Sequence, residues 1–175
     1  MFTPPYCQTL ARYNQWANER LYAACAELTD ADYRAPRQAF FGSIHGTLNH
    51  LLVADRIWMG RLEGPDSGLN KLDQILYEDF AELRAARAAE DQRLIRFMDR
   101  LGQEALDSVL SYKSTTGVPQ EVPVAWILAH LFNHQTHHRG QTHGLLSQTA
   151  VAPPPLDLFI YMRQSGAQPA PSRPA

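Results

Sequence analysis

The chain has 175 residues, 45% of them hydrophobic, which is enough to bury one core and too few to require two domains. A net charge of −2 and a pI near 6.4 supply no broad basic field, which argues against nucleic-acid phosphate or an anionic membrane as partner. No apolar run approaches the roughly eighteen residues of a membrane span, and Met1-Phe2-Thr3-Pro4-Pro5 lacks the basic and apolar regions of an export signal, so a cytoplasmic protein acting on a small molecule or thiol is expected.

In chain order, a first long helix is expected after Pro4-Pro5, from about Tyr6 to Leu28, with Leu10, Tyr13, Ala17, Leu21 and Ala24 at three- and four-residue steps. It carries Cys7 and Cys25 roughly 27 Å apart, beyond disulfide reach, so both read as reduced thiols. After Thr29-Asp30 and Pro36 break the pattern, a second long helix runs from about Ser43 to Glu63 and places His50 in an apolar row with Val53, Ala54 and Ile57. His45 points away from His50 and reads as a hydrogen-bonding residue at the helix entry, and Asp55 as facing solvent or pairing with neighbours of Arg56.

A third helix, from about Leu76 to Leu101, gathers Phe80, Leu83, Leu94, Phe97 and Met98 on one face, with Arg87 and Glu90 read as an i, i+3 ion pair. Residues from Leu106 to Val122 read as an extended crossover or small hairpin, followed by a last long helix from about Pro123 to Thr149. Pro153-Pro154-Pro155 stops that helix, and Leu158 to Met162 can dock as a short apolar segment. The fold class is therefore all-α, a four-helix bundle with residues 1–164 as one domain and 165–175 as a flexible Pro/Ala-rich tail.

The chemistry concentrates in the last long helix, where His130, His134, His137 and His138 place four of the seven histidines within one short stretch. Taking His130 as zero and about 100° per residue, His134 and His138 fall at about 40° and 80°, inside the stripe of Ile127, Leu131 and Leu145. His130 and His137 sit on its margin, Gln141 reaches the rim, Arg139 ties the helix to a neighbour, and His143 faces away. Two imidazoles one turn apart can close on one ion, which also removes the penalty of burying them unpaired. His50 is the natural third ligand. Gln135 follows His134 where a zincin peptidase carries its glutamate, so that class is set aside. Trp16, Trp58 and Trp126 read as core or interface aromatics.

The segments Gly42-Ser43-Ile44-His45-Gly46-Thr47-Leu48-Asn49-His50-Leu51-Leu52-Val53-Ala54-Asp55-Arg56-Ile57-Trp58 and Asn133-His134-Gln135-Thr136-His137-His138-Arg139-Gly140-Gln141, with Tyr13-Asn14-Gln15-Trp16-Ala17-Asn18, resemble the DinB family of DNA-damage-inducible, YfiT-like metalloenzymes. The resemblance implies an up-down-down-up bundle, a divalent zinc or nickel ion on His50, His134 and His138, and a homodimer. It also implies a reaction with a low-molecular-weight thiol in some relatives. On these grounds a thiol-dependent S-transferase is the leading expectation, ahead of a metal-dependent hydrolase and a non-catalytic, metal-stabilised stress-response protein. His137, Glu90 and Asp55 are the acid-base candidates the sequence offers.

Overall fold

The computed structural model describes residues 2–64 and 67–166. Helix α1 runs Pro4–Cys25, started by the Thr3 hydroxyl as N-cap and by prolines in the first turn. The short α2, Asp30–Arg34, is capped by Thr29, whose hydroxyl accepts from the Asp32 N–H, so the residues expected to end a helix begin another. Helix α3 runs Ile44–Glu63 behind the Ser43 cap, and α4 runs Phe80–Arg100 behind the Asp79 cap. Then follow α5 (Gln103–Asp107), the antiparallel hairpin β1 (Val109–Lys113) and β2 (Pro119–Pro123), α6 (Val124–Leu146) and α7 (Leu158–Ser165). The expected boundaries hold to within a few residues, while α2 and α5 are too short to show a period. From residue 167 on, the expected tail lies outside the described residues.

Side-chain pairings give the helix directions. Arg12 pairs with Asp99 and Asn18 with Asp91, so α1 and α4 are antiparallel. Arg87 with Asp55 and Arg93 with Glu63 make α3 and α4 parallel. His50 with His134 and Trp58 with His130 make α3 and α6 antiparallel. The bundle is up-down-down-up. Parallel α3 and α4 require the chain to travel back between Gly64 and Asp79, and Leu72, Leu76 and Tyr77 of this return segment lie against His50 and Asn49 of α3. Asn49, fully buried, clamps it: its Oδ1 accepts from the N–H groups of Leu76 and Tyr77, 2.9 and 3.0 Å away, and its Nδ2 donates to the Tyr77 carbonyl.

Apolar clusters fill both ends of the bundle. One joins Cys7, Leu10, Met59, Leu94, Met98, Leu128 and Leu131; the other joins Leu21, Tyr22, Leu48, Leu52, Leu83 and Leu145. Between them lies a buried polar layer to which all four long helices contribute. The Arg87 guanidinium is 2.7 Å from Asp55 and 3.0 Å from Asp91; the Asn14 and Asn18 amides donate to Asp91; Gln135 donates to Asp55; Arg139 donates to Asn14 and Gln135. Burial opposes the charge on Arg87, but the two carboxylates outweigh it and raise its pKa. Two sequence expectations are corrected here. Asp55 does not face solvent but is buried in this layer, and Arg87 does not pair with Glu90. Glu90 instead accepts from Arg93 at 3.0 Å, because Arg87 and Asp91 share the inward face of α4 while Glu90 leans toward the α3 seam and Arg56.

Removing the cation from this layer leaves two carboxylates buried without compensation. Arg87→Met is expected to lose about 3–5 kcal/mol of stability, measured by urea denaturation at neutral pH; a loss below about 1 kcal/mol would show that the layer is solvated and contributes little.

Candidate metal centre

Helix α6 brings His134 and His138 to one face, and antiparallel α3 sets His50 opposite them. One ring nitrogen from each of the three lies within 4.8 Å of the other two, and among the described residues no other group of three or more His, Cys, Asp or Glu side chains could share an ion in this way. The Nε2 atoms of His50 and His134 are 3.1 Å apart. That is close to the spacing of about 3.3 Å expected for two imidazoles on one tetrahedral ion with bonds near 2.05 Å.

The second nitrogen of two of these rings has its own partner. His50 Nδ1 donates to the Leu72 carbonyl at 2.7 Å, an acceptor supplied by the return segment that Asn49 clamps. His138 Nδ1 donates to Gln141 Oε1 at 2.7 Å, and the Gln141 amide N–H in turn faces His137 Nε2 at 3.1 Å. With Nδ1–H so engaged, His50 and His138 each present an Nε2 lone pair to the centre. Burial, reinforced by the neighbouring imidazoles, pushes His134 down to about 3; burial likewise takes His138 down to about 4 against the Gln141 hydrogen bond; and burial lowers His50. All three are neutral at physiological pH. Neutral imidazoles with oriented lone pairs, crowded at van der Waals distance, fit a divalent cation.

The walls are aromatic. Phe41 stacks on His50 with centroids 3.8 Å apart, carried by the bend before α3. Gly46 makes that bend possible, because a Cβ there would run into the Phe41 carbonyl oxygen. Two clefts of about 350 Å³ each reach the histidines: one, past Phe41, His137 and Gln141, is lined by all three, and the other, between α3 and the hairpin past Trp58, Tyr112 and His130, is lined by His50 and His134. Of the acid-base candidates, His137 lines the first cleft, and Glu90 and Asp55 line neither.

The remaining sequence candidates separate by position. His45 hydrogen-bonds the Tyr33 hydroxyl at 3.2 Å and lies 3.3 Å from Arg34, so it sits at the helix entry as expected. Arg139 ties α6 to α1 through Asn14. His143 Nε2 lies 3.1 Å from the Pro154 carbonyl oxygen, joining α6 to the segment that follows it. Trp58 proves to be a cleft wall, Trp16 packs against Tyr13 and Tyr161, and Trp126 is 71% exposed. Sequence reading missed Leu72, whose contribution is a backbone carbonyl, and Phe41 and Tyr112, whose only signal was an aromatic next to a glycine bend and in an alternating strand.

Comparison with known proteins agrees with this architecture. The DinB family profile matches residues 1–171. The chain belongs to the DinB family. Protein DinB of Bacillus subtilis is 27% identical over 161 residues, covering 87% of this chain and 91% of that protein. The crystal structure of a DinB-like protein from Bacillus cereus matches with a TM-score of 0.61 at 18% identity, covering 80% of this chain and 90% of that one, and shares the fold. Among the described residues no helix is long and apolar enough to cross a membrane.

Two expectations follow for this DinB-family chain. In metal-free protein, His134 and His138 hold pKa values of about 3 and 4 against an ordinary 6.5, so the unfolded chain binds more protons below that value. Their contribution is complete above about pH 6.5 and is lost as the pH falls toward 4; the melting temperature of chelator-treated protein should therefore drop between about pH 7 and 5, and less steeply in His134→Phe. Gly46→Ala should lower stability by about 1–3 kcal/mol and move Phe41 off His50, read as a change in the ring-current shift of the His50 imidazole protons.

Proposed function

We propose that this DinB-family chain is a metal-dependent enzyme, with a divalent zinc or nickel ion held by His50, His134 and His138, and that it transfers a low-molecular-weight thiol to an electrophilic small molecule. The observation that carries the reading is the convergence of three neutral imidazoles in the wall of one accessible cleft, two of them also lining a second. A divalent ion held there would act as a Lewis acid and keep a thiol ionised near neutral pH.

The chain's own residues support this chemistry in definite ways. His50 and His138 are locked in orientation by Leu72 and Gln141. His137, exposed at the mouth, can pass the thiol proton to solvent once its Nε2 gives up the Gln141 N–H. Phe41 and Trp58 wall the centre with apolar surface on two sides, which favours an apolar electrophile over water beside the thiol. Thiol transfer also asks for no buried carboxylate base, and neither cleft is lined by one among the described residues. A second reading, hydrolysis of a small ester or amide, rests on His137 alone as base. An ion with a purely structural role in a stress-response protein sits poorly with two open clefts.

Residues 1–164 form the working domain in this reading, in the cytoplasm, where buried unpaired Cys7 and Cys25 stay reduced. A homodimer is the assembly we propose, and exposed Trp126 offers a fluorescence reporter of its formation.

Protein purified without added metal should carry about one zinc or nickel per chain by elemental analysis, and His134→Ala should lose it. A cobalt-substituted sample should develop a thiolate charge-transfer band on adding mercaptoethanol. Metal binding without such a band would turn the assignment to the hydrolase, and absence of tight metal uptake would end both.

A further inference from the structure

Phe40 is the most exposed large apolar side chain among the described residues, at 84%. A phenyl ring left in water forgoes the free energy of burial, yet the turn that carries this one is closed by its own backbone bonds. Arg37 N–H donates to the Gly42 carbonyl at 2.7 Å, Gly42 N–H to the Ala39 carbonyl at 3.0 Å, and Ser43 N–H to the Phe41 carbonyl at 2.9 Å. Gly42 completes the turn with a φ of 73°, in the left-handed region that glycine adopts without strain. The backbone therefore holds Phe40 out beside the mouth of the cleft it lines.

In that cleft Phe40 and Phe41 stand edge to face, with centroids 4.8 Å apart and planes at 73°, and Leu72, 46% exposed, lines it with them. Phe41 in turn lies flat on His50. An aromatic corner of this kind meets a flat apolar group with the face of one ring and the edge of the other. Among the described residues lining this cleft there is no aspartate, glutamate, lysine or arginine. Its volume of about 350 Å³ suits one small molecule, at the lower end of the range for ligand sites.

The hairpin cleft has a different lining. Beside Trp58 and Tyr112 it carries the Gln120 amide, the Thr115 hydroxyl and His130, which offer donors and acceptors to the polar groups of a small thiol. His50, Leu72 and His134 line both clefts, so molecules lodged in the two meet across the imidazoles.

We propose that the cleft walled by Phe40, Phe41 and Leu72 is the electrophile subsite, taking an uncharged molecule with a flat aromatic body, while the thiol reaches the same imidazoles from the hairpin side. The inference rests on the thiol-transfer reading and deepens it by naming the class of electrophile and giving each substrate its own entrance. The thiol gives up its proton past His137 while the first cleft is open. Its sulfur then uses an electron pair to form the bond to the electrophilic carbon, and the leaving group departs with the pair of the bond that breaks. The bound ring covers Phe40, which makes Phe40 a specificity-determining residue.

The test uses zinc-loaded full-length protein and benzyl alcohol, an unreactive aromatic probe, followed by NMR with and without saturating mercaptoethanol. Intermolecular NOEs should run from the probe to the Phe40 and Phe41 ring protons. Phe40→Ala, which removes an exposed ring and leaves no core cavity, should weaken binding about fivefold, and mercaptoethanol should change the probe's affinity by less than about twofold. NOEs to Trp58 and Tyr112 in place of Phe40 and Phe41, an unchanged affinity in Phe40→Ala, displacement of the probe by mercaptoethanol, or no binding would each overturn the subsite and leave the thiol reading standing. Should cobalt-loaded protein give no thiolate band, the thiol reading fails by itself, and the same titration of metal-free protein decides the cleft: contact with Phe40 and weakening in Phe40→Ala support it as a site for an uncharged aromatic ligand, and their absence overturns it.

Discussion

The Asp55–Arg87–Asp91 ion pairs, extended by Asn14, Asn18, Gln135 and Arg139, are the constraint on which the rest of the molecule depends. Apolar packing at the two ends of the bundle would tolerate one helix sliding or turning against another, because Leu, Ile and Met accept many neighbours. A buried charge accepts very few. Each of the four long helices supplies at least one member of this layer, so any shift in register strands a charge or an amide in a medium that cannot solvate it. Gln135 and Arg139 flank His134 and His138 on α6, and Asp55 lies five residues beyond His50 on α3. The register that satisfies the ion pairs is therefore the register that brings the three imidazoles together.

The directions of the helices add a second layer to the site. Because α3 and α4 run parallel, a long return segment must cross the bundle, and it crosses next to His50. Asn49, the residue before the histidine, points to the segment and fixes it, so that the Leu72 carbonyl meets the His50 Nδ1–H. Adjacent residues on one helix thus divide the work between holding the loop and facing the centre, and a topological necessity becomes the outer hydrogen-bond shell of the triad.

Much of this was legible in the sequence for a physical reason. Helix α6 is long and regular, so a wheel drawn at 100° per residue separates inward His134 and His138 from marginal His130 and His137. The same logic put His50 on the apolar stripe of α3. What stayed hidden lies where side-chain identity carries no signal or carries an ambiguous one. Leu72 acts through its backbone. Asp55 and Arg87 are charged, and a charged residue beside an apolar stripe reads as solvent-facing until its partner on another helix is known. Arg87 and Asp91 stand four apart on the face of Leu83, Leu94 and Met98, a pattern that marks a buried pair in retrospect. The helices α2 and α5, at five residues each, are shorter than the window over which a period can be recognised.

The separation of the three histidines along the chain also shapes how the protein would be made. His134 and His138 come together as soon as α6 forms, a local event on the microsecond scale, whereas His50 is 84 residues distant from His134 and joins them only when the bundle closes. An ion in the cell therefore meets at most a two-nitrogen site on an unfinished chain and a three-nitrogen site on a finished one. Because the third nitrogen comes from the last step, an ion bound as proposed would act chiefly as a brake on unfolding, and the lifetime of the native bundle rather than the speed of its assembly would follow the supply of metal.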